Sequence, residues 1–440
     1  MQLGPALRRL WRHKPFRRLL SLRVLSQAGD GTLQVGMASY ILFSPQSQPD
    51  AWAIAGVLTI TLLPYSVLGP FLSTLLDRWS RRHITVISDI VRAVLAFLVG
   101  GVIAFGLTDG IWQVVFYGAL LIAMSVNRFM LAGLSAGLQY TVEPDEYLTS
   151  SSIIPTVGPL GVVIGAVLGF GARVGLGPVI GANQADAAVF GVAALLFTGS
   201  VMIARGFHPD ALGPEPGQPS ATPREVVRGL GDAMRHLGTR PVAGLALVGM
   251  FLSRLLFGLF SVVLILAVRN YFNTDPSEAL GDLTVWGLFT GAGFISSTAV
   301  VPLLVRRVGL LRTAIAVLTL GGVALALAAI WPKLWPLFVI SFLVGLSVQS
   351  FKICVDTIIQ AHVEERYKGR VFTFYDVGFN FAFVLAAVIA AVTLPDTDIN
   401  AVGFLVMAGG HAALAATFAV AARRIGAHTL EKGTEDLTSR

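Results

Sequence analysis

Two ionisable residues lie near the middle of long apolar segments, where a charge is costly. Asp30 falls about eleven residues into a segment over 19–44, and Arg254 about twelve residues into a segment over 241–268. A charged side chain at that depth of a bilayer marks a functional site by default. The chemistry these two groups offer is uptake and release of a proton by a carboxylate whose charge a guanidinium can balance. A fixed ion pair that only holds helices together is the alternative.

The residues around these two charges are polar on one side and aromatic on the other. Gln34 follows Asp30 by one turn, and Tyr40 lies further along the same segment. Phe251 and Phe257 flank Arg254. An aromatic-lined cavity that holds one acid and one base suits amphipathic substrates, including cationic ones. The candidate coupling and cavity residues are therefore Asp30, Arg254, Gln34, Tyr40, Phe251 and Phe257.

The composition requires a membrane around these segments. Only 13% of the 440 residues are charged and 55% are hydrophobic, whereas about a quarter of a soluble domain is charged. The single cysteine, Cys354, excludes a disulfide framework, and no His, Cys or acidic spacing fits a metal. There is no lysine-bearing phosphate loop, so we expect no bound cofactor, no metal and no nucleic acid partner, although the net charge is +7.

Apolar runs long enough to cross about 30 Å of hydrocarbon recur along the whole chain. We predict an all-α membrane protein with twelve transmembrane helices in two pseudo-symmetric six-helix bundles. The predicted spans are 19–44, 52–76, 84–107, 111–133, 150–170, 184–204, 241–268, 283–305, 310–330, 336–359, 371–393 and 401–421.

Lysine and arginine are distributed unequally between the two ends of these spans. With the N-terminus inside, 24 of the 32 fall on the inner side and three on the outer side. Positive residues concentrate on the cytoplasmic side of membrane proteins. Both termini are therefore predicted to be cytoplasmic, in a multi-pass protein of a bacterial cell membrane.

A polar interval divides the predicted spans into two sets of six. Its first part is rich in proline, and 224–237 has helical spacing of Val226, Val227, Leu230, Met234 and Leu237. That pattern predicts a helix lying on the inner membrane surface. The predicted domains are 1–205, a connector at 206–240, 241–422 and a cytoplasmic tail at 423–440.

The turn after the second span resembles the signature of the major facilitator superfamily. Asp77, Arg78, Arg81 and Arg82 match that pattern, whereas Ser73 and Ser80 replace glycines. The segments 63–71 and 368–372 resemble the macrolide-efflux type of drug:proton antiporters. The resemblance implies that spans one and seven line one central cavity, so we expect Asp30 and Arg254 to face it and to pair there.

The resemblance also implies a cytoplasmic gate of ion pairs around the signature turn. In the family, the carboxylate at the end of span two meets the positive N-terminal end of span eleven, here near Arg370. Structural salt bridges without a switching role, or anchors to lipid headgroups, are the alternatives. The predicted gate residues are Asp77, Arg78, Arg81, Arg82, Asp89, Arg92, Arg128, Lys352, Asp356, Arg370 and Asp376.

Span five contains prolines and a glycine ladder at a spacing of four. Small residues at this spacing allow another helix to approach closely. The Gly-Pro pair resembles a motif of exporters in the superfamily, and generic helix packing is the alternative. The motif residues are Pro155, Gly158, Pro159, Gly161 and Gly165.

Together these features predict a secondary transporter and not an enzyme. The expected activity is proton-coupled, multidrug-type efflux of small amphipathic molecules by alternating access, with membrane lipids as partners and a monomer as the unit. Export of lipids or siderophores on the same scaffold is the alternative. A lipid-modifying membrane enzyme would need a catalytic cluster, and Glu143, Asp145 and Glu146 lack a partner base.

Overall fold

The computed structural model describes residues 9–43, 51–68, 79–107, 110–143, 146–208, 211–213, 223–273, 275–393 and 401–425. Thirteen α-helices cover most of these residues. They are α1 (Lys14–Phe43), α2 (Ala51–Leu68), α3 (Arg81–Ala104), α4 (Ile111–Gly137), α5 (Tyr147–Ile180), α6 (Ala182–Arg205), α7 (Pro223–Gly238), α8 (Pro241–Leu266), α9 (Pro276–Val308), α10 (Leu310–Ile330), α11 (Leu334–His362), α12 (Glu365–Thr393) and α13 (Ala401–Ile425).

Glycine and proline set several helix boundaries. Gly181 between α5 and α6 has φ +88°, and Gly309 between α9 and α10 has φ +86°. Glycine adopts this left-handed conformation without steric cost, so one residue reverses the chain at each turn. Pro241 begins α8, where its missing N–H would have no helical partner.

The chain forms two compact units, Met1–Ser47 with Leu63–Val226 and Gln48–Leu62 with Val227–Arg440. In the first unit, α1 packs on α5 and α6, and α3 packs on α4 and α6. In the second unit, α8 packs on α12 and α13, and α10 packs on α11 and α13. These four contacts of α1, α3, α4, α5 and α6 therefore have counterparts at the same positions among α8, α10, α11, α12 and α13, as expected for a duplicated bundle.

Ten helices of the described residues are long and apolar enough to cross a membrane, and they correspond to the third to twelfth predicted spans. The described residues of the first two predicted spans are also helical, in α1 and α2, but neither helix is among these ten. The count of twelve spans and the position of the termini therefore stay predictions. Residues 48–62 group with the second unit, although their place in the chain predicted the first.

Several helices extend beyond their predicted spans. Span five, predicted to end at 170, continues to Ile180, and span eleven, predicted from 371, begins at Glu365. Hydropathy measures only the apolar stretch, whereas the backbone stays helical until a glycine or proline stops it. As a consequence Arg173, predicted in an outer loop, lies inside α5.

Candidate functional site

Asp30 lies in a buried polar cluster between α1 and α3. Its Oδ1 is 3.8 Å from Nη1 of Arg92, and its Oδ2 accepts a hydrogen bond from Gln34 at 2.8 Å. Arg92 also donates to Asp89 and to Ser26. Arg92 and Asp89 are fully buried, and Asp30 is 2% exposed. The charged partner that the first unit gives Asp30 is therefore Arg92.

Helices α4 and α6 complete this cluster. Asn127 accepts a hydrogen bond from Nη1 of Arg92 at 3.0 Å and another from Gln27 at 3.2 Å. The guanidinium carbon of Arg92 lies 4.3 Å from the centre of the Phe197 ring. Asn127, Gln27, Ser26 and Phe197 were not predicted as site residues; the signal for Gln27 and Asn127 was a polar side chain inside an apolar segment.

The charges of the cluster do not balance. Two carboxylates, Asp30 and Asp89, share one guanidinium, so the ionised cluster has a net charge of −1. One oxygen of each carboxylate, Oδ1 of Asp30 and Oδ2 of Asp89, is buried without a hydrogen-bond donor. A buried charge without compensation is costly, and a single proton on either carboxylate would make the cluster neutral.

Close packing of α1 on α5 fixes the backbone on which Asp30 sits. A Cβ on Gly165 would lie 1.8 Å from the carbonyl oxygen of Ala28, and a Cβ on Gly31 would lie 2.1 Å from that of Val162. The hydroxyl of Thr32 donates to the carbonyl of Gly165 at 2.8 Å. The glycine ladder of α5 therefore faces the helix segment that contains Asp30.

Gly165→Ala is expected to lower the stability of the folded protein, because the added methyl group overlaps backbone atoms that cannot rotate away. Overpacking of this kind costs about 1–3 kcal/mol. Gly171→Ala on the same helix is the matched control, since its Cβ would meet nothing within 4 Å, and there alanine should stabilise the helix slightly. Thermal unfolding in detergent measures both changes. Equal midpoints for the two variants would contradict the expectation.

The other residues of the predicted span-five motif differ in their surroundings. A Cβ on Gly161 would lie 2.8 Å from the carbonyl oxygen of Val24, and one on Gly158 would lie 3.4 Å from Nε of Arg23. Pro159 is exposed on the opposite side. The side chain of Pro155 lies outside the described residues. Close helix packing accounts for the glycines, and an exporter-specific role stays a prediction.

In the second unit, Arg254 on α8 is surrounded by aromatic rings. Its guanidinium carbon lies 4.1 Å from the ring centre of Phe379, 4.6 Å from Phe383 and 5.2 Å from Phe257. Among the described residues no carboxylate forms an ion pair with it, and its Nε is buried without an acceptor. Phe379 and Phe383 of α12 were not predicted. The pairing of Asp30 with Arg254 stays a prediction.

A second charged group of this unit lies on α11, next to the aromatic rings of α12. Lys352 pairs with Asp356 at 2.8 Å, one turn apart on α11, as their spacing predicted. The ammonium of Lys352 is 5.3 Å from the ring centre of Tyr375, whose ring stacks on Phe379 at 6.4 Å.

The other predicted cavity residues contact aromatic rings of their own units. Phe251 stacks on Phe381 with ring centres 6.5 Å apart, and the ring centre of Tyr40 lies 5.1 Å from that of Phe116.

The predicted gate residues do not form one network in the described residues. Asp89 and Arg92, predicted as gate residues, lie with Asp30 in the buried cluster, and their role in a gate stays a prediction. Arg81 donates to the backbone carbonyls of Ala136 at 2.9 Å and Leu212 at 3.2 Å. These bonds hold the start of α3 against the end of α4 and against the segment 211–213.

The remaining gate residues have separate surroundings. Arg82 donates to the carbonyl of Arg205 at 3.2 Å, and Arg128 is half-buried on α4. Asp376 is exposed on α12. Asp77 and Arg78, with Ser73 of the signature turn, lie outside the described residues, so the gate role of that turn stays a prediction.

A buried ion pair near the other end of α5 was missed by the sequence prediction. Nε of Arg173 lies 2.5 Å from Oδ1 of Asp186, which also accepts a hydrogen bond from Ser39 at 2.8 Å. Asp186 is fully buried, although it was interpreted as a helix-start charge. Here one carboxylate meets one guanidinium, so this pair, unlike the Asp30 cluster, is balanced.

The connector helix α7 contacts the turn between α11 and α12. Arg240 donates to Glu364 at 2.9 Å, and the ring of His236 stacks on Tyr367 at 4.4 Å. Leu237 is buried and Met234 is 53% exposed, and the predicted position of this helix on the membrane surface stays a prediction. The face of α7 that packs on the turn also includes the imidazole of His236 and the small residue Gly229, which lies against Arg370.

Glu364→Gln is expected to weaken this contact in a pH-dependent way. The Arg240 guanidinium, which donates to the carboxylate, holds the pKa of Glu364 below its ordinary value of 4.5. A carboxyl whose pKa is lower in the folded state stabilises the protein above the unfolded pKa, and this contribution is lost as pH falls through the folded pKa.

Thermal unfolding at two pH values tests the Glu364 prediction. The thermal midpoint of wild type should exceed that of Glu364→Gln at about pH 5.5, and the difference should shrink near about pH 3.5. Asp232→Asn is the control, since its pair with exposed Arg235 spans 3.4 Å. A difference that is constant with pH would exclude the ion pair as its cause.

Comparison with known proteins defines the class of protein to which these helical units belong. The family profile described as MFS/sugar transport protein matches residues 67–394. The chain therefore belongs to the major facilitator superfamily and is a multi-pass membrane transporter.

Individual relatives agree with this class. The chain is 33% identical over 388 residues to uncharacterized MFS-type transporters of Mycobacterium bovis and Mycobacterium tuberculosis, covering 87% of this chain and 85% of each relative. Among solved structures it resembles a variant of the nucleoside transporter NupG, with a TM-score of 0.68, 15% identity and coverage of 92% and 98% of the two chains. A POT family transporter in complex with a thioalcohol-conjugated peptide gives 0.67, 11% identity and coverage of 93% and 96%. At these identities the two structures show the fold alone.

Proposed function

We propose that this transporter is a proton-coupled exporter of amphipathic small molecules that works by alternating access. The observation that carries the proposal is the buried cluster of Asp30, Asp89 and Arg92, which holds one more carboxylate than guanidinium. Binding one proton removes the net charge and so stabilises whichever conformation buries the cluster. Losing that proton favours the conformation in which water reaches it.

The open oxygen of Asp30 is the atom at which we place this proton. Gln34 occupies Oδ2, whereas Oδ1 has no donor and faces the nearest nitrogen of Arg92 at 3.8 Å. Asp89 is held more tightly, because Arg92 and Ser26 both donate to its Oδ1. The charged groups facing Asp30 from neighbouring helices are Asp89 and Arg92 of α3. From α4 the neutral Asn127 faces the cluster, and from α6 the ring of Phe197.

Export, a cytoplasmic position of both termini and action as a monomer belong to the same proposal. The Gly-Pro pair of α5 supports export, and the excess of basic residues on one side supports the orientation. The mycobacterial relatives support a bacterial cell membrane. Large apolar side chains exposed on α3 and α5, such as Phe97 and Val163, support contact with lipid.

Proteoliposomes that enclose a pH-sensitive dye test the coupling. Candidate substrates, namely lipophilic cations, macrolides, lysolipids and organic anions, are added in turn without an imposed gradient. A transported substrate should move protons in the opposite direction, and an imposed pH gradient should drive its accumulation. Transport that moves no protons and ignores the gradient would remove proton coupling from the proposal.

A further inference from the structure

The surroundings of Arg254 combine one cation with an apolar wall. The ring centres of one phenylalanine of α8 and two of α12 lie within 5.2 Å of the guanidinium carbon. None of the described carboxylates forms an ion pair with it. The nearby carboxylate of Asp356 pairs through Oδ2 with Lys352 at 2.8 Å, and its Oδ1 is buried without a hydrogen-bond donor.

We propose that Arg254 and the rings of Phe257, Phe379 and Phe383 bind the anionic head of an amphipathic substrate. The head is a carboxylate, phosphate or sulfonate, and the body is aromatic or aliphatic. The inference rests on the proposed transport function and adds a substrate class to it. It replaces the expectation of cationic substrates that the sequence suggested.

The geometry favours an anion because the aromatic faces are already occupied. Phenylalanine rings attract cations through their negative faces, but Arg254 takes up the faces of Phe379 and Phe383. A cationic substrate would have to displace the guanidinium and would be repelled by it. An anion instead adds to the arrangement, since stacking leaves the N–H edges of a planar guanidinium free to donate two parallel hydrogen bonds.

A further group near the rings can contribute to binding. Tyr375 stacks on Phe379, and its hydroxyl is buried without a hydrogen bond within the described residues. Cation–π contacts replace part of the hydration that Arg254 loses, but they bring in no negative charge. An anion that binds the guanidinium supplies that charge, and its apolar body can bury against the exposed ring of Phe381 and its neighbours.

Three probes with one body and different heads test the charge preference directly. Phenylbutyrate, phenylbutylammonium and phenylbutanol are titrated into the purified full-length protein in nanodiscs of phosphatidylcholine, with calorimetric detection. Phenylbutyrate should bind on the order of 10- to 100-fold more tightly than the other two, as a charge-assisted bidentate contact allows. Equal or tighter binding of the ammonium probe would overturn the proposal.

Substitutions at Arg254 assign the preference to this side chain. Arg254→Gln should abolish the advantage of phenylbutyrate, whereas Arg254→Lys should keep the preference for the anion at lower affinity. Arg235→Gln, at a side chain that is 85% exposed on α7, is the control and should bind as wild type does. Thermal unfolding of Arg254→Gln, which loses its contacts with the three rings, shows that the variant is still folded under the conditions of the titration. A carboxylate preference that persists in Arg254→Gln would contradict the site.

The same nanodiscs separate two sources of the anionic head. If phosphatidylglycerol added to the nanodiscs displaces phenylbutyrate from wild type, the site binds a lipid headgroup; if it does not, the site takes a water-soluble anion. Either result supports the site, provided that Arg254→Gln abolishes the tighter binding of phenylbutyrate. Binding is measured without a gradient, so a failure of proton coupling would leave these results unchanged.

Discussion

Asp30→Asn is expected to abolish proton-driven accumulation of substrate while leaving exchange of substrate across the membrane. The amide preserves the shape and the contact with Gln34, but it cannot bind and release a proton. A gradient of one pH unit, coupled to one proton, supports about tenfold accumulation, because tenfold corresponds to about 1.4 kcal/mol. In the variant, accumulation should fall to the level without a gradient.

The matched control for this variant is Asp186→Asn. Asp186 is an equally buried carboxylate of the same unit, but it pairs one to one with Arg173, so it has no place in the proposed proton exchange. Proteoliposomes with an imposed pH gradient measure accumulation, and equilibrium exchange of labelled substrate measures the remaining transport. Normal accumulation by Asp30→Asn, or an equal loss in Asp186→Asn, would remove Asp30 from the coupling scheme.

Arg92→Gln is expected to give the largest loss of stability among single substitutions in the first unit. It would leave Asp30 and Asp89 buried side by side with no cation between them. Removing one partner of a buried ion pair costs about 3–5 kcal/mol. The contacts of Arg92 with Ser26, Asn127 and Phe197 would be lost as well.

Arg92→Lys separates charge from geometry, since it keeps the cation but not the planar fork that joins three side chains. We expect an intermediate loss of stability for this variant. In an Asp89→Asn background the cost of Arg92→Gln should shrink, because one of the two orphaned carboxylates is already neutral. Thermal unfolding in detergent measures the cycle, and Arg235→Gln on exposed α7 provides the baseline. Additive costs would show that Arg92 and Asp89 act independently.

This transporter contains two kinds of charged site, and we propose that they have different roles in transport. The Asp30 cluster of the first unit contains an excess of negative charge that one proton can cancel. The Arg254 site of the second unit contains a cation that contacts three rings and forms no ion pair with a described carboxylate. On this scheme the first unit binds the coupling ion and the second recognises the substrate.

Sequence alone determined the class of the protein and the position of its helices. The span predicted at 310–330 coincides with α10, and those at 111–133 and 401–421 begin where α4 and α13 begin. These features depend on local hydropathy and on the glycines and prolines that end helices. Both can be identified within a single stretch of sequence. The depth of Asp30 and Arg254 within apolar segments was visible for the same reason.

The partners of those charges were decided only by the tertiary structure. Within its own unit Asp30 meets Arg92, and Asp89 joins the same cluster, whereas spacing along the helices had placed these residues in separate groups. Which residues meet depends on the rotation and register of the helices, which for α1 and α5 follow from close backbone contacts at Gly31 and Gly165. Such contacts join residues more than a hundred positions apart, so hydropathy and spacing along one helix cannot specify them.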